Sequence, residues 1–379
     1  MGCRVRAVFV RGGTSRALVF HARDLPERAA WDPIFLAALG SPDPYGRQLD
    51  GLGGGISSLS KVAVVGPPTH PDADVDYTFG QVEVSRPVVD YRGNCGNISS
   101  AIGPFAIDEG LVAAEAPLTR VRIHNTNTRK LIHARVPVEG GRAAVHGDFA
   151  LDGVPGTGAR IALDFLDPGG AVTGRLLPTG AARDVLDVPG LGALAASLVD
   201  ATTPLAVVRA KDLEIEATER PEELDARPGL PERLEAVRAA AAVRMGLAAT
   251  AAEATRESAA VPKLAVVFPP TAYRTLAGAP VEPDAVDLVA RIVSMGKVHR
   301  AFALTGAMGL AVAVRIPGTL AHEAASGGHA AGDVRIGHPS GVLPVAAEVA
   351  RRPDGALVAR TVTVYRTARR LMEGFVHVP

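Results

Sequence analysis

The chain has 379 residues, 40 basic and 40 acidic side chains and a formal net charge of zero, and at roughly 100–200 residues per domain that length provides for two or three domains. A hydrophobic share of 47% is enough for an ordinary core. Balanced charge without a local Lys/Arg stripe argues against a nucleic-acid partner. Membrane insertion is excluded on length, because the longest apolar stretch, Ala301–Val314, is interrupted at Thr305 and Gly306 and falls short of the roughly 20 residues a span needs. Cys3 and Cys95 are the two cysteines; they cannot form a disulfide framework, so a reducing cytoplasm is the default compartment.

The 41 Gly and 29 Pro residues are spread along the chain and mark many tight turns, not a disordered tract. Between them, in chain order, lie short β-branched runs of strand length: Val5–Val10, Ala17–Phe20, Val62–Val65, Tyr77–Val84, Val121–His124, Ile132–Val138 and Ala143–Val145. Gly96–Glu109 is apolar nearly all round and small at its start, which predicts a buried helix, with Gly110 as its stop. The Gly/Pro/Asp-rich segment Leu163–Pro178 is the expected junction, giving domains 1–175 and 176–379, with the last strand free to return to the first domain. In the second half, Leu205–Val208, Leu264–Phe268, Val342–Val349 and Leu357–Val364 read as strands, and Pro231–Leu247 and Asp284–Met295 as outer helices. His299–Val314 is again small and apolar all round, a candidate counterpart of the Cys95 helix. A strand-like Val358–Tyr365 and a short basic tail end the chain.

Four segments could carry chemistry. Arg11-Gly-Gly-Thr14-Ser15-Arg16 is a hairpin turn that could also offer hydroxyl and amide donors to an anion. Gly53-Gly-Gly-Ile-Ser-Ser-Leu-Ser60-Lys61 runs into an apolar strand. Lys61 could snorkel to water; enclosed, its amine would lose its solvation and become a usable base. Gly93-Asn94-Cys95-Gly96-Asn97 sets a thiol just before a helix, where dipole and free amides favour thiolate and bind carboxylate. The bland reading is a small buried hydrophobe. Thr305-Gly306-Ala307, with Arg335-Ile-Gly337-His338-Pro-Ser340-Gly341, would supply anion donors from the second half.

No phosphate-cradling loop, dinucleotide fingerprint or nucleophile elbow is present. No cysteine pair has metal-ligand spacing, and His299, His322 and His329 are too scattered for a metal site. Cofactor-independent chemistry without a metal is the expectation.

The hairpin motif, the Gly-rich lead to Ser60-Lys61, Gly93-Asn-Cys-Gly-Asn97 and Gly337-His-Pro-Ser-Gly341, in that order along the whole chain, resemble the PrpF-type proteins, which comprise 2-methylaconitate cis–trans isomerases and 4-oxalomesaconate tautomerases. The resemblance implies an α+β, diaminopimelate epimerase-like fold. Two similar domains would each wrap a curved, mostly antiparallel sheet around a central apolar helix, with the active site in the cleft between them. It also implies that Lys61 and Cys95 occupy the family's catalytic positions. Asn94, Gly96 and Asn97 with Thr305, Gly306 and Ala307 would hold substrate carboxylates. Thr14, Ser15, Arg16, Ser60, Arg300, His338, Ser340 and Gly341 complete the expected binding set, with Arg11, Arg16 and Arg300 as candidate charges for a polyanion.

The chemistry so implied is removal of an allylic proton from a small unsaturated tricarboxylate and its return at another carbon, or after bond rotation, with Lys61 and Cys95 as acid and base in unassigned order. An aconitase-like dehydratase is an expected partner, and a homodimer an expected assembly. Other readings make distinct demands. A two-thiol racemase of the same fold needs a second thiol facing Cys95, for which only Cys3 is available. An accessory protein would not need Lys61. Schiff-base chemistry at Lys61 would be trapped by borohydride.

Overall fold

Strands build most of this chain, some alternating in burial, as β-strands Leu118–Asn125 and Lys130–Glu139 do, and others buried on both faces, as Lys61–Gly66 is. The computed structural model describes residues 2–325 and 332–379, so His329 lies outside the described residues. Residues 1–166 and 365–379 form one compact unit and residues 167–364 a second. The division at 166/167 falls nine residues before the expected boundary at 175/176, at the end of a strand inside the Gly/Pro/Asp-rich segment.

In unit 1 the strands are β1 (Cys3–Gly12), β2 (Ser15–His21), β3 (Lys61–Gly66), β4 (Val75–Val82), β5 (Val89–Asp90), β6 (Leu118–Asn125), β7 (Lys130–Glu139), β8 (Arg142–Ala143), β9 (Phe149–Leu151), β10 (Val154–Gly158) and β11 (Ile161–Leu166). β1 and β2 form a hairpin, with Arg11 opposite Arg16 and Gly12 opposite Ser15. β2 and β3 run parallel, β3 and β4 antiparallel, β4 and β6 parallel, and β6, β7 and β11 antiparallel in turn. The two faces of this sheet bury different helices. Leu18, Phe20, Val62 and Val64 pack on α1 (Trp31–Leu39) through Trp31, Ile34, Phe35, Ala38 and Leu39, an i, i+3, i+4, i+7 stripe. The opposite residues, among them Ala17, Val19, Ala63, Val65 and Tyr77, are buried as well. α2 (Gly96–Asp108) packs against β1, β2, β3, β6, β7 and β11, so the sheet curves around it. Close approach requires Gly103, where a Cβ would lie 2.7 Å from Val136 Cγ2 and 3.0 Å from Ala134 Cβ.

Unit 2 contains β12 (Asp184–Val188), β13 (Gly192–Ala201), β14 (Thr203–Arg209), β15 (Lys263–Phe268), β16 (Tyr273–Arg274), β17 (Pro280–Val281), β18 (Leu288–Ser294), β19 (Lys297–Val298), β20 (Asp333–His338), β21 (Gly341–Arg351) and β22 (Leu357–Arg366), whose last two residues belong to unit 1. Its helices are α3 (Pro221–Ala226), α4 (Leu230–Arg244), α5 (Ala251–Glu257), α6 (Leu304–Val314) and α7 (Leu320–Ala324). The pairing order repeats that of unit 1. A β13–β14 hairpin is followed by parallel β14–β15, antiparallel β15–β18, parallel β18–β20, and antiparallel β20–β21 and β21–β22. α6 occupies the place of α2 and is buried from Gly306 to Val314. Each unit is therefore a largely antiparallel sheet with one buried apolar helix, the α+β plan expected.

One expectation is corrected. Asp284–Met295 is not a helix; after a single 3-10 turn it is β18, buried at every residue. The misleading signal was Arg291, which reads as a solvent-facing position but is buried, its guanidinium donating to the carbonyls of Ala290 and Ala217. The basic tail forms β23 (Ala368–Val378), antiparallel to β1 in unit 1, with Arg370 donating to Glu109 at 2.9 Å. Among the described residues no helix is long and apolar enough to cross a membrane.

Candidate active site

Strand parity sets Lys61 on the α2 side of the sheet. It shares a face with Ala63 and Val65, opposite to Val62 and Val64, which pack on α1. Across the strand, Gln81, Phe79 and Tyr77 stand opposite Lys61, Ala63 and Val65. Lys61 is buried, 8% exposed. Its Nζ donates to Gln81 Oε1 and lies 5.2 Å from the Phe79 ring centroid. The Gln81 amide is fixed in turn by donating to the carbonyls of Ser60 (2.8 Å) and Ser57 (3.0 Å). Burial pushes the Lys61 pKa down, and the charge of Cys95 pulls partly the other way. The amine is desolvated, and Cys95 is the residue that acts on it from α2.

Cys95 is the N-cap residue of α2, half-buried, and its side chain makes no capping hydrogen bond. Its carbonyl accepts from the Ser99 amide (2.9 Å) and the Ser99 hydroxyl (3.0 Å), which ties down the first turn and leaves the thiol free. Asn94 Oδ1 accepts from the Ser99 hydroxyl at 3.2 Å. With no capping side chain, the first-turn amides keep their positive dipole end for an anion. Tyr77 is fully buried near the same thiol; burial first, then the Cys95 charge, raises the pKa of its phenol well above the ordinary value, so it stays protonated.

The β1–β2 turn reaches the start of α2. Asn97 Nδ2 donates to Thr14 Oγ1 at 3.0 Å, and Gly13, at φ +51°, is packed against Asn97 and Arg366. Gly12 is needed for this approach, since a Cβ there would lie 2.6 Å from the Asn97 carbonyl oxygen. Arg366, which sequence reasoning missed, donates from Nε to Asn97 Oδ1 (3.0 Å) and from Nη1 to the Tyr365 carbonyl (2.7 Å).

Other expected residues have settled partners. Ser60 is fully buried; its hydroxyl donates to the Val82 carbonyl (2.9 Å) and accepts from Gln48 Nε2 (2.7 Å). Gly55 N donates to Gln48 Oε1 (2.9 Å), and a Cβ on Gly53 would collide with the same amide. The Gly-rich segment thus closes around Gln48. Ser15 is buried in the hairpin, Arg16 lies over the Phe9 ring, and Arg11 donates to the carbonyls of Gly13 and Thr367, both at 3.0 Å. Cys3 is exposed at the edge of β1.

In unit 2, α6 begins after Ala303, again without a capping side chain, and carries Thr305, Gly306 and Ala307 in its first turns. Thr202 donates to the Thr305 carbonyl at 2.9 Å. The Ser340 hydroxyl donates to the Arg300 carbonyl (2.6 Å) and its amide to His338 Nδ1 (3.2 Å), which groups these three residues beside Gly341. The Arg300 guanidinium is exposed and paired with Glu222 at 3.4 Å. Among the described residues no group of three His, Cys, Asp or Glu side chains could hold a metal ion.

A chain named probable proline racemase, from Agrobacterium radiobacter, superposes at TM-score 0.50 with 12% identity, covering 98% of this chain and 92% of that one. A crystal structure of methylitaconate-delta-isomerase superposes at TM-score 0.93 with 45% identity, covering 100% of this chain and 96% of that one. The fold is therefore shared with both of these structures, and the protein is an isomerase. Two relatives extend the likeness over the full length: 3-methylitaconate isomerase of Eubacterium barkeri, 46% identical over 99% of this chain and 97% of that protein, and 2-methyl-aconitate isomerase of Shewanella oneidensis, 41% identical over the same shares. The PrpF protein model matches residues 2–379, and the chain belongs to the PrpF family.

Proposed function

We propose that this protein moves or inverts the double bond of a small unsaturated di- or tricarboxylate by proton abstraction and reprotonation at Lys61 and Cys95. The observation that carries the reading is a buried amine on the α2 face of the sheet, within electrostatic reach of the uncapped Cys95 at the start of α2. The names of the two relatives supply the substrate class: one acts on a methyl-substituted itaconate, the other on a methylaconitate.

An allylic C–H next to a conjugated carboxylate is acidic because the resulting electron pair delocalises onto carboxylate oxygen. One group of the pair takes that proton. The other returns its own proton to a different carbon, or to the same one after bond rotation, and exchange between the two groups resets the site. Amine with thiol and ammonium with thiolate carry the same number of protons, so either order runs the reaction. The first-turn amides of α2, with Asn94, Gly96, Asn97 and Thr14 around them, would stabilise charge developing on oxygen. Thr305, Gly306 and Ala307 stand in the first turns of α6 in unit 2, likewise without a capping side chain.

Proton NMR of 3-methylitaconate and 2-methylaconitate in deuterated buffer tests the reading. Protein-dependent double-bond migration with deuterium entering at an allylic carbon is expected for at least one. No exchange with either acid, or with close relatives of them, overturns it.

A further inference from the structure

A guanidinium enclosed by protein is ordinarily matched by a carboxylate, because an unpaired buried charge is costly. Arg291, Arg315 and Arg366 depart from this pattern, and of the three it is Arg366 that stands at the start of α2. It is 6% exposed, and its described hydrogen bonds go only to uncharged oxygens, Asn97 Oδ1 through Nε and the Tyr365 carbonyl through Nη1. The guanidinium has five N–H donors, so three remain, two of them on Nη2. Burial lowers its pKa to about 10, with the charge of Cys95 opposing that fall, and it therefore keeps its proton at neutral pH. Asn97 is the second residue of α2, so the cation stands beside the same first turn as the thiol.

We infer that Arg366 binds a carboxylate of the substrate through the N–H donors that Asn97 and Tyr365 leave unused. This rests on the proposed function for the identity of the acid, but not for the binding itself. The geometry suits the task. A planar fork matches the two oxygens of a carboxylate, and a lysine would not. Asn97 fixes the plane of the fork by accepting from Nε while donating to Thr14. A bound carboxylate would supply the missing counter-charge, so the cost of burying the cation in the empty protein reappears as affinity. It also accounts for how a protein of zero net charge attracts a polyanion, since Arg11 is engaged by carbonyls and Arg300 by Glu222.

Calorimetric titration with a saturated dicarboxylate that cannot isomerise, methylsuccinate, and with its two monomethyl esters separates this inference from the catalytic one. Arg366→Met is expected to lose about 100-fold in affinity for the diacid but less than about threefold for one of the monoesters, whose missing charge is the one Arg366 meets. Arg366→Lys keeps the charge without the fork and should fall between. Should Arg366→Met not fold, as judged by its melting curve, the Arg366→Lys comparison reads the same contrast. Equal affinity of wild type and variant for the diacid overturns the inference. So does equal loss for diacid and both esters, or an effect confined to the pH dependence of Cys95 alkylation, which would make Arg366 a partner of the thiol alone. A wild type that binds methylsuccinate through Arg366 yet isomerises no unsaturated acid would refute the proposed function and leave this inference standing.

Discussion

An amine stripped of water is a different reagent from a solvated one, and Lys61 shows where the difference originates. Its position as first residue of β3 sends the side chain to the α2 face, where Phe79 and Gln81 enclose it. Because burial lowers its pKa from the ordinary value, the unfolded chain holds more protons than the folded one between that lowered value and about 10.4. Stability contributed by this residue therefore rises with pH through that window. Lys61→Met should abolish isomerisation yet melt at or above the wild-type temperature at pH 7, and lose the pH-dependent rise; each 1 kcal/mol moves the midpoint by about 2–4 °C for domains of this size. A clearly lower midpoint would mean that the charged amine is paired, not stranded. Lys61 and Cys95 could be picked from the sequence because a Lys abutting an apolar strand and a thiol among Gly and Asn are both unusual. Arg366 could not be, because a return of the last strand to the first unit, though allowed for, does not show that this arginine meets Asn97 at the start of α2. Ser60 looked like part of the same motif, but its hydroxyl is spent on Val82 and Gln48.

At the scale of elements, the site depends on how α2 meets the β1–β2 turn. Ser99 and Ser100 bond back to the carbonyls of Cys95 and Asn97, and Gly12 lets the hairpin backbone touch the helix start. Gly12→Ala forces the two apart. It should destabilise by about 1–3 kcal/mol and lower kcat by about 10- to 100-fold through displacement of Asn97, read by thermal melts and steady-state rates. Wild-type kinetics in a destabilised variant would show that the turn only supports the fold. The α2 boundary was legible to within a residue because apolar content, small residues and a Gly stop agree. β18 was misread because Asp284, Asp287 and Arg291 suggest a polar stripe, while the strand is paired on both edges, to β15 and β20, and buries Arg291. α1 was overlooked because its nine residues give little room for periodicity to show.

Across the molecule, the same strand order is built twice, and the equivalences are informative. Lys263 opens β15 as Lys61 opens β3, and stands opposite the last residue of β18, Ser294, to which its Nζ donates at 2.8 Å; burial lowers its pKa too. The N-cap of α6 is Ala303, where α2 has Cys95. Unit 2 thus keeps the amine and lacks the thiol, so Lys263→Met should retain isomerisation within about tenfold of wild type while Lys61→Met does not; equal loss would point to a second acid–base group. The repeat was faintly visible in the two small-residue helices, but not in the strands, because different apolar residues satisfy the same pairing.

The central claim is that Lys61 and Cys95 work as one unit, and a double-mutant comparison of deuterium uptake into an isomerised acid tests it most directly. Lys61→Met and Cys95→Ala should each bring uptake close to the rate without protein, and the double variant should fall no further, as for groups that act together. Independent, multiplying losses, or substantial uptake by either single variant, would contradict it.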